Sequence, residues 1–213
     1  MKTLYSLYSK AFIFLMLSCA TGLISSSPLQ AQIYKAGALL GGNFADQRIV
    51  NGGDRLSTDM VFRPHLGVAA MIPLMDVVSI QAALIYSGQG HKISGNRLFV
   101  NYLQLQLLGM YFYSLNTSLQ LFGAFGPSLN LGVSGNRKFN GSKESIDFGE
   151  DIKRMEIALI VGGGIQLALM GKPLQAGLFY NLGMTNIAAS AGNNYYNRFL
   201  FLRFTWFFLA NSM

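Results

Sequence analysis

The sequence predicts an all-β fold, an eight-stranded antiparallel transmembrane β-barrel preceded by a cleaved signal peptide. Three observations carry this. Between Tyr34 and Ala210, eight segments alternate apolar and polar residues with the two-residue period of a strand. The connections between those segments alternate as well, long then short. The chain is 51% hydrophobic and 12% charged, yet after its first 31 residues it has no apolar run of the roughly 18 residues that mark a spanning helix. A sheet lining lipid on one face reconciles these facts, because every second residue is apolar and no run is.

Residues 1–31 have the make-up of an export signal. Lys2 and Lys10 supply a positive start, Ala11 to Ser18 an apolar stretch, and Ser25 to Ala31 an exit rich in small residues. Cleavage is expected after Ala31, leaving one barrel domain over 32–213. Cys19 follows Ser18 as in a lipoprotein signal, but Met16 fits that pattern poorly, so Cys19 is read as part of the apolar stretch and lost with it. As it is the single cysteine, no disulfide, thiolate metal site or cysteine nucleophile is expected. Without Lys2 and Lys10 the formal charge falls from +7 to +5, 14 basic against 9 acidic residues. Spread over loops and alternate strand positions, that surplus offers nucleic acid no basic face.

The segments follow in order. The first (Tyr34 to Phe44) and second (Val61 to Pro73) are irregular, with Phe62, Leu66, Val68 and Ile72 toward lipid and Arg63 and His65 inside. In the third, Val78, Ile80, Ala82, Leu84 and Tyr86 oppose Ser79, Gln81, Ala83 and Ser87. In the fourth, Leu103, Leu105 and Leu107 oppose Gln104 and Gln106. The fifth sets Leu119, Leu121, Phe125, Leu129 and Leu131 against Ser118, Gln120, Ala124, Ser128 and Asn130. The sixth sets Met155, Ile157, Leu159, Val161, Ile165 and Leu167 against Arg154, Glu156, Ala158, Gly162, Gly164 and Gln166. The seventh opposes Leu174, Leu178, Tyr180 and Leu182 to Gln175, Asn181 and Thr185. The eighth (Arg198 to Leu209) opposes Leu200, Leu202, Phe204 and Trp206 to Arg203. A soluble lipocalin-like barrel or a β-sandwich would hide the apolar face, but here the narrow face is the one rich in Gln, Gly, Ser and Ala.

Connections set the orientation. Pro73 to Val77, Ser114 to Thr117 and Met170 to Pro173 are tight; Ala45 to Met60, Gly90 to Leu98, Ser134 to Lys153 and Ala188 to Asn197 are long and polar. Short turns belong in the periplasm, so both termini are expected there and the long loops outside the cell. Tyr86, Phe99, Tyr102, Tyr195 and Tyr196 then form an outer aromatic girdle, and Tyr111, Tyr113, Trp206 and Phe208 an inner one.

Four stretches carry a family resemblance: Gln81 to Gly90 (QAALIYSGQG), Val100 to Phe112 (VNYLQLQLLGMYF), Phe122 to Ser128 (FGAFGPS) and Tyr180 to Ile187 (YNLGMTNI). With Gly37 to Asn43 they cover most of the mature chain, and it resembles the PorT-like outer-membrane β-barrel proteins of Bacteroidota. The resemblance implies an eight-stranded barrel without implying one activity; the member that names the family is similar to a secretion accessory. This chain departs from it at Gln106, where the family commonly has proline, and at Leu209 to Met213, which does not end on an aromatic; Phe207 or Phe208 would then serve as the assembly signal.

The chemistry sought in the interior is sparse. Lys35, Arg63, His65, Arg154, Glu156 and Arg203 are expected in the lumen as a plugging network of ion pairs and amides, with a proton or anion path as the sharper alternative. His91, with Ser87 on its face and Ser94 beyond, is the candidate for a rim hydrolase acting on lipid A or peptide, its orienting acid to come from Glu144, Asp147, Glu150 or Asp151. The aspartates of the first loop and the acids of the third match no calcium loop, and Gly162-Gly163-Gly164 lies within a strand with no helix after it, so it is no phosphate loop.

The sequence therefore predicts a monomeric outer-membrane barrel, not an enzyme, with no cofactor and no metal. Its role is expected to be structural or interactive: envelope integrity, adhesion, or assistance to protein secretion. Expected partners are outer-membrane lipids and lipopolysaccharide, the barrel-assembly machinery, and secretion-system or surface proteins, with no nucleic acid. The alternatives are the rim hydrolase using His91 and a narrow solute or ion conductor.

Overall fold

A sheet in hydrocarbon cannot leave an edge unpaired, because each bare amide there costs several kcal/mol. The chain meets this demand by closing on itself. The structure, a computed structural model, describes residues 35–51, 54–56, 61–93, 96–139, 142–150, 152–188 and 193–210; the expected signal and Cys19 lie outside these. The strands are β1 (Lys35–Asn51), β2 (Asp54–Leu56), β3 (Val61–Met75), β4 (Val78–Ile93), β5 (Asn96–Ser114), β6 (Leu119–Phe139), β7 (Ser142–Ser145), β8 (Met155–Leu169), β9 (Lys172–Gly183) and β10 (Asn193–Ala210). Eight of them form an antiparallel wall in the order β1-β3-β4-β5-β6-β8-β9-β10, and β10 pairs back onto β1 from Lys35↔Ala210 to Asn51↔Asn193. The small strands β2 and β7 add to β1 and β6 beyond the wall.

Directly opposed residues trace a path once around the barrel, from Phe112 through Phe122, Gly164, Gly177, Arg203, Gly41, His65 and Ser87 to Tyr102. The path leaves β5 at Phe112 and returns to it at Tyr102, so the shear is 10 residues (112 − 102). Eight strands so staggered tilt by about 40° and enclose a space that side chains can fill.

Outside the wall, Leu66, Val68, Leu84, Leu105, Leu107, Phe125, Ile157, Val161, Leu178 and Leu202 are all exposed. Along β5 this apolar face runs from Tyr113 to Leu103. Ten tilted residues span about 26 Å, against roughly 25 Å for the lipid-facing band of such barrels. The fold is therefore that of a transmembrane barrel. Tyr86, Tyr111, Tyr113, Trp206 and Phe208 face outward as expected of girdle residues. Tyr102 does not: it is 1% exposed and lies in the lumen, because it alternates with Leu103 and shares the inward side with Gln104. The side chain of Tyr195 lies outside the described residues.

The two ends differ. At one, Asp76-Val77, Leu115 to Ser118 and Met170-Gly171 connect strands, and Lys35 and Ala210 lie at that same end. Asn116 shapes the middle connection by accepting the amides of Ser118 and Leu119 at 2.9 and 2.8 Å. At the other end the expected long loops are largely strand. β4 and β5 pair to Ile93↔Asn96, β5 and β6 to Arg97↔Lys138, and β1 and β10 to Asn51↔Asn193. Polar residues outside a membrane hide this pairing from a hydropathy pattern, since both faces of such a ribbon are wet. β8 and β9 stop sooner, their pairing ending at Ala158↔Gly183, so the rim is tall on two sides and low between.

Met170 and Gly171 have φ of 52° and 71°, a two-residue turn with both centres left-handed. Only Gly171 is free of the Cβ penalty there. Met170→Asn is expected to raise, and Gly171→Val to lower, the stability of the folded barrel by about 0.5–1 kcal/mol, measured as the urea midpoint of its heat-modifiable gel band.

Candidate functional site

The inward face fills the barrel in layers. Nearest the short turns, the opposed residues Ser114, Gln120, Gln166 and Gln175 form an amide ladder. Gln120 Nε2 donates to Ser114 Oγ (3.0 Å), Gln166 Nε2 to Gln120 Oε1 (2.6 Å) and Gln175 Nε2 to Gln166 Oε1 (3.0 Å). Above it lies an apolar core of Leu39, Met71, Leu108, Met110, Phe112, Phe122, Ile160, Phe179, Phe199, Phe201 and Phe207. A wholly polar lumen was expected from the Gln, Ser and Gly positions, and the phenylalanines correct it. They sit on the inward parity of their strands, where aromatic content passes easily for lipid-facing surface. Phe207, considered above as an assembly signal, is 0% exposed inside.

Arg203 stands in this core. Its opposed neighbours are Gly177 and Gly41, which leave room for the guanidinium beside the stacked rings of Phe179 and Phe201, 5.1 Å apart at 11°. The guanidinium carbon lies 5.0 Å from each ring centroid, and Nη2 donates to Gln106 Oε1 at 2.6 Å. Nε and Nη1 have no hydrogen-bond partner among the described residues. His65 stands one strand beyond Gly41, where a Cβ would come within 2.5 Å of its Nε2. Asn43 Nδ2 donates to Ser87 Oγ (2.8 Å) and to the carbonyl of Gly88 (2.7 Å), so Asn43 Oδ1 is the acceptor facing His65. His65 Nδ1 accordingly carries the proton and donates to it at 2.9 Å. Asn43, His65, Gln104, Phe199, Phe201 and Arg203 surround a narrow crevice with no room for a water molecule.

Glu156 occupies the next layer. Its Oε2 accepts amides from Asn130 (3.1 Å) and Asn197 (3.0 Å), and Asn197 also reaches the Tyr102 hydroxyl at 3.4 Å. Glu156 is 1% exposed and Arg203 2%, and neither is ion-paired among the described residues. The expected salt-bridge network is therefore two separate centres, each solvated by amides, because the row of Arg203 crosses β8 at Gly164, eight residues from Glu156. Of the six residues expected in the lumen, His65, Glu156 and Arg203 are buried there with partners. Lys35 is half-buried at the start of β1 and joins none of these layers. Arg154 is exposed: β8 starts only at Met155, so Arg154 lies in the connection, 5.8 Å from the Phe148 ring. Arg63 leaves the lumen. β3 and β4 cease to pair above His65↔Ser87, and Arg63 crosses Gly88 to donate from Nη2 to Asn101 Oδ1 (3.1 Å), over the Phe99 ring at 4.7 Å.

The connection from β7 to β8 closes the tall end. Ile146 and Ile152 pack with Ile187, Val100 and Tyr102, and Phe148 lies over Gly132. Backbone bonds pin it, Lys153 N to Ile187 O (2.8 Å) and Gly132 N to Arg154 O (2.7 Å). Nothing in the hydropathy of this polar loop marks it as a lid, though its isoleucines among charges are a usable signal.

Among the described residues the hydrolase candidates are not brought together. The side chain of His91 lies outside the described residues, as does Ser94, and so does Asp151. Ser87 is buried against Asn43, facing the lumen. Glu144 shares a cross-strand row with position 91 through Leu98 and Arg137, three spacings away or about 14 Å, and is taken up by Arg137 at 3.0 Å. Asp147 and Glu150 are exposed in the lid connection, away from that row. Gly162 to Gly164 are close-packing positions: a Cβ on Gly162 would meet the Phe179 ring at 2.5 Å.

No protein-family model and no curated protein matches the chain. Among solved structures it is similar to Neisserial surface protein A, at 11% identity over 81% of this chain and 96% of that one (TM-score 0.47). It is also similar to OprG of Pseudomonas aeruginosa, at 13% identity over 82% and 93% (TM-score 0.43), and to Ail of Yersinia pestis, at 12% over 83% and 100% (TM-score 0.41).

The two buried charges carry opposite expectations. Arg203→Met removes a charge without a carboxylate and keeps the volume between the rings, so stability is expected to hold or to rise by up to about 2 kcal/mol. Glu156→Leu removes the acceptor shared by the Asn130 and Asn197 amides and is expected to lower it by about 1–3 kcal/mol, with Glu156→Gln intermediate. Equilibrium urea unfolding in lipid vesicles measures both.

Proposed function

We propose that the protein is a non-conducting, non-enzymatic barrel of the outer membrane, with its short turns and both strand termini in the periplasm and its tall rim outside the cell. One observation carries this reading: the lumen is filled from the glutamine ladder to the isoleucine lid, leaving the outer surface and the rim as the parts that can act. The roughly 26 Å apolar belt on a closed barrel supports an outer membrane, the setting of such barrels in Gram-negative cells. The resemblance of the Val100 to Phe112 and Tyr180 to Ile187 stretches to the PorT-like proteins of Bacteroidota supports a place in the envelope beside surface or secreted proteins, as a scaffold, adhesin or secretion accessory. Acting as a monomer is in keeping with a wall that leaves no sheet edge free.

Refolded protein in a planar bilayer is expected to stay silent. Ile152→Asp, which undocks the lid, is expected to stay silent too, because the Arg203 and phenylalanine layers remain below. A steady unitary current from the wild-type protein would refute the plug. Deleting the gene and comparing surface, periplasmic and secreted proteins tests the accessory role, which predicts a specific surface protein retained inside.

A further inference from the structure

The buried carboxylate of Glu156 is only half satisfied. Its Oε2 takes both amides, from Asn130 and Asn197, while Oε1 is buried with no hydrogen-bond partner among the described residues. That free oxygen leans over Gly183, the inward residue of β9 at which the β8–β9 pairing ends. A Cβ on Gly183 would lie 2.6 Å from Glu156 Oε1 and 2.6 Å from the Asn197 carbonyl oxygen. The two oxygens are therefore within about 5 Å of each other across a bare α-carbon. One ion can touch both, since oxygen ligands stand about 2.3–2.6 Å from an ion of calcium's size.

A third oxygen belongs to the same space. Asn181 lies two residues along β9 on the same face and is 0% exposed. Its Nδ2 reaches the Asn197 carbonyl only at 3.5 Å, and its Oδ1 has no hydrogen-bond partner among the described residues. Turning that amide over gives up one long hydrogen bond and sets Oδ1 where Nδ2 stands, 3.5 Å from the carbonyl oxygen. Neighbouring ligands at right angles on a calcium-sized ion have nearly that spacing, about 3.4 Å.

Charge identifies the ion. No three His, Cys, Asp or Glu side chains gather among the described residues, and the oxygens beside Glu156 are neutral. A divalent ion would leave a positive charge uncompensated between the phenylalanine core and the isoleucines of the lid. A proton on Oε1 would cancel the carboxylate but leave Asn181 Oδ1 without a partner. A monovalent ion of calcium's size cancels the charge and serves both orphaned oxygens, and sodium is that ion.

We propose that a sodium ion binds over the Gly183 α-carbon, ligated by Glu156 Oε1, the Asn197 carbonyl and Asn181 Oδ1. It ties β8, β9 and β10 together at the height where β8–β9 and β9–β10 pairing stops, and the plug beneath is unchanged.

The test unfolds the full chain in urea, from phosphatidylcholine vesicles, in sodium, calcium or choline chloride at equal ionic strength. Sodium is expected to raise the midpoint of the heat-modifiable band over choline by about 0.5 M, a shift that saturates. Glu156→Gln, which removes the charge, and Gly183→Ala, which fills the space, are each expected to lose the shift, whatever their own midpoints. A crystal structure of the wild-type protein grown in sodium is expected to show a peak over Gly183 with oxygens at about 2.4 Å, against about 2.8 Å for a water. It decides the matter if neither variant folds. Equal midpoints in sodium and choline, a shift retained by either variant, calcium outdoing sodium, or a crystal with no peak or a peak at water distances would each overturn the proposal.

Discussion

Closure governs the rest of this molecule. Once β10 pairs with β1, no backbone edge faces lipid. With eight strands and a shear of 10, the interior is narrow enough for side chains to fill. The outer face is set by lipid and the inner by volume, so the two obey different rules. Outside, any apolar residue serves. Inside, several large side chains stand opposite a glycine on one flanking strand.

The second rule explains the glycines. Phe122 faces Gly164, Arg203 lies between Gly177 and Gly41, and Phe179 faces Gly162. The chain thereby places a guanidinium and a stack of rings where neither would fit against branched neighbours. It also explains why Arg203 and Glu156 stay apart. Each is held by amides at its own height: the row of Arg203 crosses β8 at Gly164, eight residues from Glu156, so no small slip of register could join them.

The outward pattern was legible in the sequence because lipid imposes a strict period on it: the alternating faces from Val78 to Tyr86 and from Leu103 to Leu107 lie as expected. Parity also placed His65, Glu156 and Arg203 inside. It failed where regular pairing stops. Arg154 lies one residue before β8, and Arg63 lies where β3 and β4 part. Parity was not applied to Tyr102, whose ring was assigned to the membrane interface by its chemistry alone, or to the inward phenylalanines. The ribbons above the membrane were illegible for a plainer reason, since water accepts polar residues on both faces and leaves no period to read.

Those ribbons bear on how such a barrel can act. A flexible loop presents charge as an average over many conformations, and ordering it on a ligand costs conformational entropy. A strand pair that continues the wall has already lost that freedom. Register, which inside the membrane serves packing, then fixes above it which residues stand in a row and on which face. In this chain the same β4–β5 register that sets Ile85 opposite Gln104 in the lumen sets Lys92 opposite Arg97 outside. A one-residue slip that would put Gln104 into lipid would also turn Leu98 out of its packing under the lid, so folding in the membrane and packing above it are held by one constraint.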